Sequence, residues 1–160
     1  MDPKPARLRE TPLAAPMAVA LGEARDAARR GEVPVGDAVV DARTGAVLAC
    51  AGNRTEERND VSAHAEILAL REAAAAAGAP RLPECDLYVT VEPCAMCAAA
   101  ISFARIRRLY FGAPDPKMGA VEHGARFFRQ PTCHHAPEVY GGIGASEAAA
   151  LMRDFFEARR

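Results

Sequence analysis

The chain has 160 residues, 50% of them hydrophobic and 26% charged, which suits a globular domain with a core of its own. A net charge of −1 excludes a molecule-wide electrostatic footprint for nucleic acid and leaves only local patches, such as Arg105, Arg107 and Arg108, whose plain reading is a solvated face. No apolar run is long enough to cross a bilayer, and the opening MDPKPARLRETPLAAP, broken by Pro12 and Pro16, has no signal-peptide pattern. The cytoplasm, where thiols stay reduced, is the expected compartment, and five unevenly spaced cysteines make no disulfide framework.

In chain order, residues 1–15 read as a loose arm and 16–160 as a single domain. Met17 to Arg30 carries helical periodicity, stopped by Gly31. DAVVDARTGAVLACAG reads as two strands around a turn at Thr44-Gly45. Asn53 to Asp60 is polar and reads as loop. Ser62 is the expected N-cap of a helix that Gly78 and Pro80 end. Asp86–Val91 reads as a buried strand, Cys94 to about Ala104 as an alanine-rich helix and Arg107–Ala113 as another strand. An irregular stretch with Gly119, Gly124 and Pro131 follows, then a weak fifth strand in EVYGG. The last predicted element is a helix over Ala145–Arg159, with Ala149, Met152 and Phe156 on one face. Strands alternating with helices predict an α/β layered domain.

TVEPCAMCAAA places Cys94 and Cys97 three apart, at the point where a strand gives way to a helix. A redox dithiol, half of a metal site and plain buried packing are the three readings of such a pair. The first turn of a helix has unpaired N–H groups that favour thiolates, and thiolates are what zinc takes as ligands. His64, in SAHAEILAL, also opens a predicted helix, and such ends gather at the carboxyl edge of an α/β sheet. Two cysteines and one histidine would leave a fourth position open, as in a catalytic zinc site. Glu66 lies about 200° from His64 on an ideal helix, so spacing alone does not join them. A carboxylate near the metal that is not itself a ligand could nevertheless move protons. Cys50 and Cys85 stand alone and read as packed thiols, and Cys133-His134-His135 reads as surface loop. H-x-E combined with P-C-x-x-C is the signature of zinc-dependent nucleobase deaminases.

At these residues the sequence resembles the bacterial tRNA-specific adenosine deaminases, within the cytidine deaminase superfamily. HAE (64–66) and PCAMC (93–97) belong to the superfamily at large. GEVPVG (31–36), GNRTEERNDVSAHAEILALR (52–71), LYVTVEPCAMCAAAI (87–101) and RIRRLYFGAPDPKMGA (105–120) carry the narrower likeness. The resemblance implies a three-layer α/β/α sandwich with a five-stranded mixed sheet, and a homodimer in the cytoplasm. It implies one Zn2+ per subunit on His64, Cys94 and Cys97, with Glu66 as proton shuttle. It implies substrate contacts from Asn53, from the Val33-Pro34-Val35 turn, and from Asp115 and Lys117. The implied activity is hydrolytic conversion of adenosine to inosine at the wobble position of a tRNA anticodon stem-loop. Arg107, Arg108, Lys117 and the terminal arginines are candidates for phosphate contacts. A deaminase of a free base or nucleoside is the alternative, and a non-catalytic module with structural zinc is the alternative of another class. Two features depart from the family pattern. Asp37 stands where a small apolar residue is usual, and its plain reading is a strand-end residue facing water. The loop MGAVEHGARFF also differs from the common version.

Overall fold

The computed structural model of the chain describes residues 13–160. The expected arm lies outside these as far as residue 12. In chain order the elements are α1 (Ala14–Arg29), β1 (Gly36–Asp41), β2 (Val47–Gly52), α2 (Thr55–Arg58), α3 (Ala65–Ala77), β3 (Cys85–Val91), α4 (Ala95–Phe103), β4 (Arg108–Ala113), β5 (Glu138–Tyr140) and α5 (Ala145–Glu157), with a 3-10 turn at Phe127–Arg129 before β5. The five strands form one mixed sheet in the order β2-β1-β3-β4-β5. β1 runs antiparallel to β2 and β3, whereas β3, β4 and β5 are parallel. The carboxyl ends of β2, β3 and β4 therefore share one edge.

Alternation along the strands builds a core on each face. Val39, Leu87, Val89, Leu109 and Phe111 point to the face covered by α3 and α4, where they meet Ala69, Ala73, Ala98 and Ile101. Val40, Tyr88 and Tyr110 point to the other face, against Met17, Ala20 and Leu21 of α1 and Ala148 of α5. The result is the three-layer α/β/α sandwich expected from the sequence. β3 is buried at every position, as befits a strand covered on both sides. Tyr88, Tyr110 and Tyr140 pair in register across β3, β4 and β5 and stack with ring centroids 4.5 and 5.2 Å apart, which anchors the short β5. α1 lies close on the sheet because its inner face is small: Ala20, Ala24 and Ala27 are fully buried. A side chain at Gly36 would put its Cβ 2.1 Å from the Ala20 carbonyl oxygen, so β1 begins with the one residue that admits the helix.

Several elements differ from their sequence reading for identifiable reasons. α1 starts at Ala14, because Pro16 falls in the first turn, where a backbone N–H has no intrahelical partner. α2 forms inside the polar segment read as loop. Its first turn is held by the buried Glu32, whose carboxylate accepts Thr55 Oγ1–H at 3.3 Å and the N–H groups of Glu56 and Glu57 at 3.3 and 2.8 Å. That partner lies more than twenty residues upstream, beyond the reach of periodicity. Ser62 does not cap α3. Its N–H and Oγ–H both bond Asp60 Oδ1, and α3 begins at Ala65 with His64 at its cap position. On α5 it is Ala148 and Phe155 that reach the core, while Met152 and Phe156 border a cavity.

Asp37 overturns its plain reading. It does not face water: it is fully buried on the same face of β1 as Val39, and neither carboxylate oxygen has a hydrogen-bond partner among the described residues. Burial pushes its pKa well above the ordinary carboxylate value, and the negative fields of Glu66, Glu23 and Glu72 push in the same direction. A raised folded-state pKa means that ionisation of this side chain costs folding nothing below its unfolded pKa of about 3.9. The cost grows as pH rises from there towards the folded value and then stays constant. Asp37→Ala is expected to raise the unfolding free energy at pH 7 by about 1–3 kcal/mol. Denaturant melts across pH should show the gap between variant and wild type closing as pH falls towards about 4.

Candidate metal and catalytic site

Two helix starts meet at the shared carboxyl edge. His64 sits at the cap of α3 with extended backbone (φ −72°, ψ 150°), and Cys94 sits at the cap of α4 in similar geometry (φ −73°, ψ 176°). Neither side chain is wound into its helix, so each points past the helix end. Cys97, one turn into α4, is fully buried. His64 Nδ1 lies 3.7 Å from Cys94 Sγ and 3.5 Å from Cys97 Sγ, and the three donor atoms all lie within 4.8 Å of one another. Zinc–sulfur and zinc–nitrogen bonds of about 2.3 and 2.1 Å at a tetrahedral angle require an N···S separation of about 3.6 Å, so this donor set fits zinc. It is the only such group of three or more metal-binding side chains among the described residues.

The electrostatics favour thiolate ligands. A hydrogen bond from Cys97 lowers the Cys94 pKa to about 4; burial opposes this, and His64 adds to the lowering. The same bond and burial push the Cys97 thiol up. His64 is raised, chiefly by its bond to Cys94. A divalent cation among these atoms would replace the shared proton and hold both sulfurs as thiolates.

Glu66, in the first turn of α3, is 3% exposed, and burial raises its pKa. The angular objection from the sequence disappears because His64 lies outside the helix. Both residues border a cavity of about 270 Å³, together with Val33, Val35, Asn53, Cys94 and Asp115. Asn53 Oδ1 accepts the Ala65 N–H at 2.8 Å, which fixes the α3 start. Its Nδ2–H2 has no protein partner among the described residues. Asp115 Oδ1 accepts the N–H groups of Lys117 and Met118, closing a tight turn at the cavity rim. Pro34 is buried beneath the Val33-Val35 turn and does not line the cavity. Lys117 lies in an adjoining groove of about 730 Å³.

Sequence reasoning missed Thr55, Val91, Glu92, Met118, Met152 and Phe156 on the cavity wall. Met152 and Phe156 were visible as one helix face, but nothing local signalled that α5 returns to the carboxyl edge. Arg107 and Arg108 stand at the opposite end of β4 and are already paired. Arg107 binds Asp86 in two-pronged fashion at 2.8 and 2.6 Å, and Arg108 binds Glu138 at 2.6 Å. Neither cation is free for phosphate at the site. Cys133 and His135 tie their loop to α4: Ser102 Oγ–H and Cys133 Sγ–H donate to the His135 carbonyl, and His135 Nε2–H donates to the Ile106 carbonyl.

Comparison with known proteins fits this geometry. The family model of the MafB19-like deaminases matches residues 14–160. A tRNA-specific adenosine deaminase of Agrobacterium fabrum is 62% identical over 144 residues, covering 90% of this chain and 93% of that protein. A solved structure from work on A-to-I editing by tRNA:A34 deaminases at the wobble position superposes with a TM-score of 0.83 at 63% identity, over 85% of this chain and 97% of that one. A guanine deaminase from Nitrosomonas europaea matches with a TM-score of 0.76 at 28% identity, over 93% and 86% of the two chains.

Removing a ligand should remove the metal. Cys94→Ala or Cys97→Ala, purified beside wild type with zinc supplied, should carry well under one equivalent by elemental analysis while wild type carries about one. Full zinc in both variants would refute the ligand assignment. The chain belongs to the MafB19-like deaminases and, within them, to the tRNA-specific adenosine deaminases.

Proposed function

We propose that this chain is a zinc-dependent hydrolase that converts adenosine to inosine at the wobble position of a tRNA anticodon, releasing ammonia. The observation that carries the reading is the meeting of His64, Cys94 and Cys97 at two helix starts, with a buried Glu66 opening on the same cavity. Zinc held by those three side chains would supply a water of lowered pKa, nucleophilic at neutral pH. The remaining work belongs to the chain. Glu66 takes the proton of the water that adds to C6 and delivers it to the adjacent ring nitrogen. It then takes the proton of the new hydroxyl and passes it to the departing amino group, so that ammonia leaves and the carboxylate is restored. Burial of Glu66 supports this role, because a carboxylate with a raised pKa is a stronger base towards the proton of the water and, once protonated, can hand that proton on. The free Nδ2–H2 of Asn53 suits an acceptor on the base, and the small apolar Val33 and Val35 suit its flat faces.

The cavity is smaller than the roughly 300–1,000 Å³ of sites for drug-sized ligands, and suits one base taken out of its stack. What favours a polynucleotide over a free base is the continuation of the cavity into the larger groove. The two share Val91, Asp115, Met118, Met152 and Phe156, and the groove adds the cations of Lys117, Arg153 and Arg160. A free base would leave that groove unused, whereas an anticodon loop brings phosphates and further bases to it. A structural-zinc module is disfavoured, since Cys133 and His135 are engaged in fastening their loop rather than offered as a fourth ligand.

The expected homodimer rests on the family likeness and on the apolar Val61, Met96 and Phe103, exposed on the α4 side and on the loop before His64. No helix among the described residues is long and apolar enough to cross a membrane, and a cytoplasmic site of action goes with a tRNA substrate.

Offering the purified protein an anticodon stem-loop RNA beside free adenosine, guanine and cytosine tests the assignment by nucleoside analysis. Inosine should form in the RNA alone. Deamination of a free base with the RNA left intact would overturn the substrate. Glu66→Gln should keep its metal and lose about 10²–10⁴-fold in kcat. Substantial turnover by the folded variant would remove the shuttle role.

A further inference from the structure

Glu92 stands between the end of β3 and the Pro93-Cys94 turn, and neither the ligand set nor the proton shuttle uses it. Its side chain is fully buried, yet it is surrounded by donors. Oε1 accepts the Asp115 N–H at 3.1 Å and the His123 Nδ1–H at 2.7 Å. Oε2 accepts the N–H groups of Val121, Glu122 and His123, each at 3.2 Å. Five donors on one carboxylate is an anion nest made from a single loop. The loop closes on it tightly. A Cβ at Gly119 would lie 2.3 Å from Glu92 Oε2 and 2.4 Å from the Asp115 carbonyl oxygen, so only glycine permits the wrap. Ala120 N–H adds a bond to the Pro93 carbonyl at 2.9 Å.

The front of that loop is the rim of the cavity. Asp115 and Met118 border the 270 Å³ space, and Lys117 and Met118 border the groove beside it. One buried charge thus joins the substrate-facing rim to the turn that presents Cys94. His123, the only side chain among the five donors, belongs to the segment in which the sequence departs from the common loop.

We propose that Glu92 is a positioning residue of the deamination reaction, holding the 114–123 loop, and with it Asp115, Lys117 and Met118, in register with the metal-binding turn. Glu92 itself borders the cavity, but its side chain is fully buried beneath the loop, so its role is indirect. The proposal rests on the adenosine deaminase reading for its kinetic consequence, but not for its structural one.

The test compares wild type, Glu92→Gln and His123→Ala by two readouts, amide hydrogen exchange resolved along the chain and steady-state kinetics on the anticodon stem-loop RNA. In both variants, exchange in residues 114–123 should speed up while that of β1 and β3 does not change, and zinc content should match wild type. Glu92→Gln weakens charge-assisted bonds to the rim, so KM for the RNA should rise about tenfold or more, with kcat falling less. Gly119→Ala, which pushes on the same oxygen, should act in the same direction. Wild-type exchange and wild-type KM in these variants would overturn the proposal, as would loss of zinc or a fall in kcat at constant KM. If Glu92→Gln does not fold, His123→Ala, which removes one bond at the outer side of the nest, decides by the same readouts. If wild type deaminates no RNA, the exchange data still decide whether Glu92 holds the loop, and the substrate reading fails separately.

Discussion

Everything at the site depends on two helices beginning at the same place. The first turn of a helix presents unpaired N–H groups and the positive end of its dipole, and it favours anionic groups beside it. In this chain α3 and α4 both begin at the carboxyl edge of the sheet, and their cap residues, His64 and Cys94, are the ones that face each other. Because a cap residue keeps extended backbone, its side chain is aimed by the incoming strand or loop rather than by helical rotation. That is how an imidazole from one element comes within 3.7 Å of a sulfur from another, with Glu66 one residue inside the helix still opening on the same space.

The sheet keeps these starts together, and its register explains why. β1 is clamped between β2 and β3, antiparallel to both, so the segments leaving β2 and β3 emerge side by side. Three buried side chains then fasten the emerging segments: Glu32 on α2, Asn53 on the first turn of α3, and Glu92 on the loop after β4. Each is a buried polar group whose partners are mainly backbone N–H groups of another segment, which ties the edge together. Asp37 is the exception: it is as deeply buried as these, but has no partner among the described residues.

The layered fold was legible from periodicity, because the long elements bury clear faces: Met17 and Leu21 on α1, Leu87 and Val89 on β3, Ile101 on α4. The grouping of His64, Cys94 and Cys97 was legible because H-x-E and P-C-x-x-C carry chemistry in their residue types. What stayed hidden is tertiary. Glu32 drew no reading, since nothing near it in sequence reveals that α2 will need its carboxylate. Ser62 was a sound cap by type, but the α3 start was taken by Asn53, twelve residues before Ala65. Arg107 looked available for phosphate until Asp86, on the neighbouring strand, accounted for it. Asp37 looked like a solvated strand end because local pattern gives the alternation of a strand but not what covers it.

The separation of His64 and Cys94 along the chain has a consequence for how a metal would be acquired there. His64 and Cys94 are thirty residues apart, and what brings them together is the pairing of β1 with β3 rather than any local turn. A nascent chain that has released the histidine but not yet closed the sheet has no tight binding centre to offer. Zinc held by these residues would therefore bind after sheet assembly, and its uptake would report completed folding.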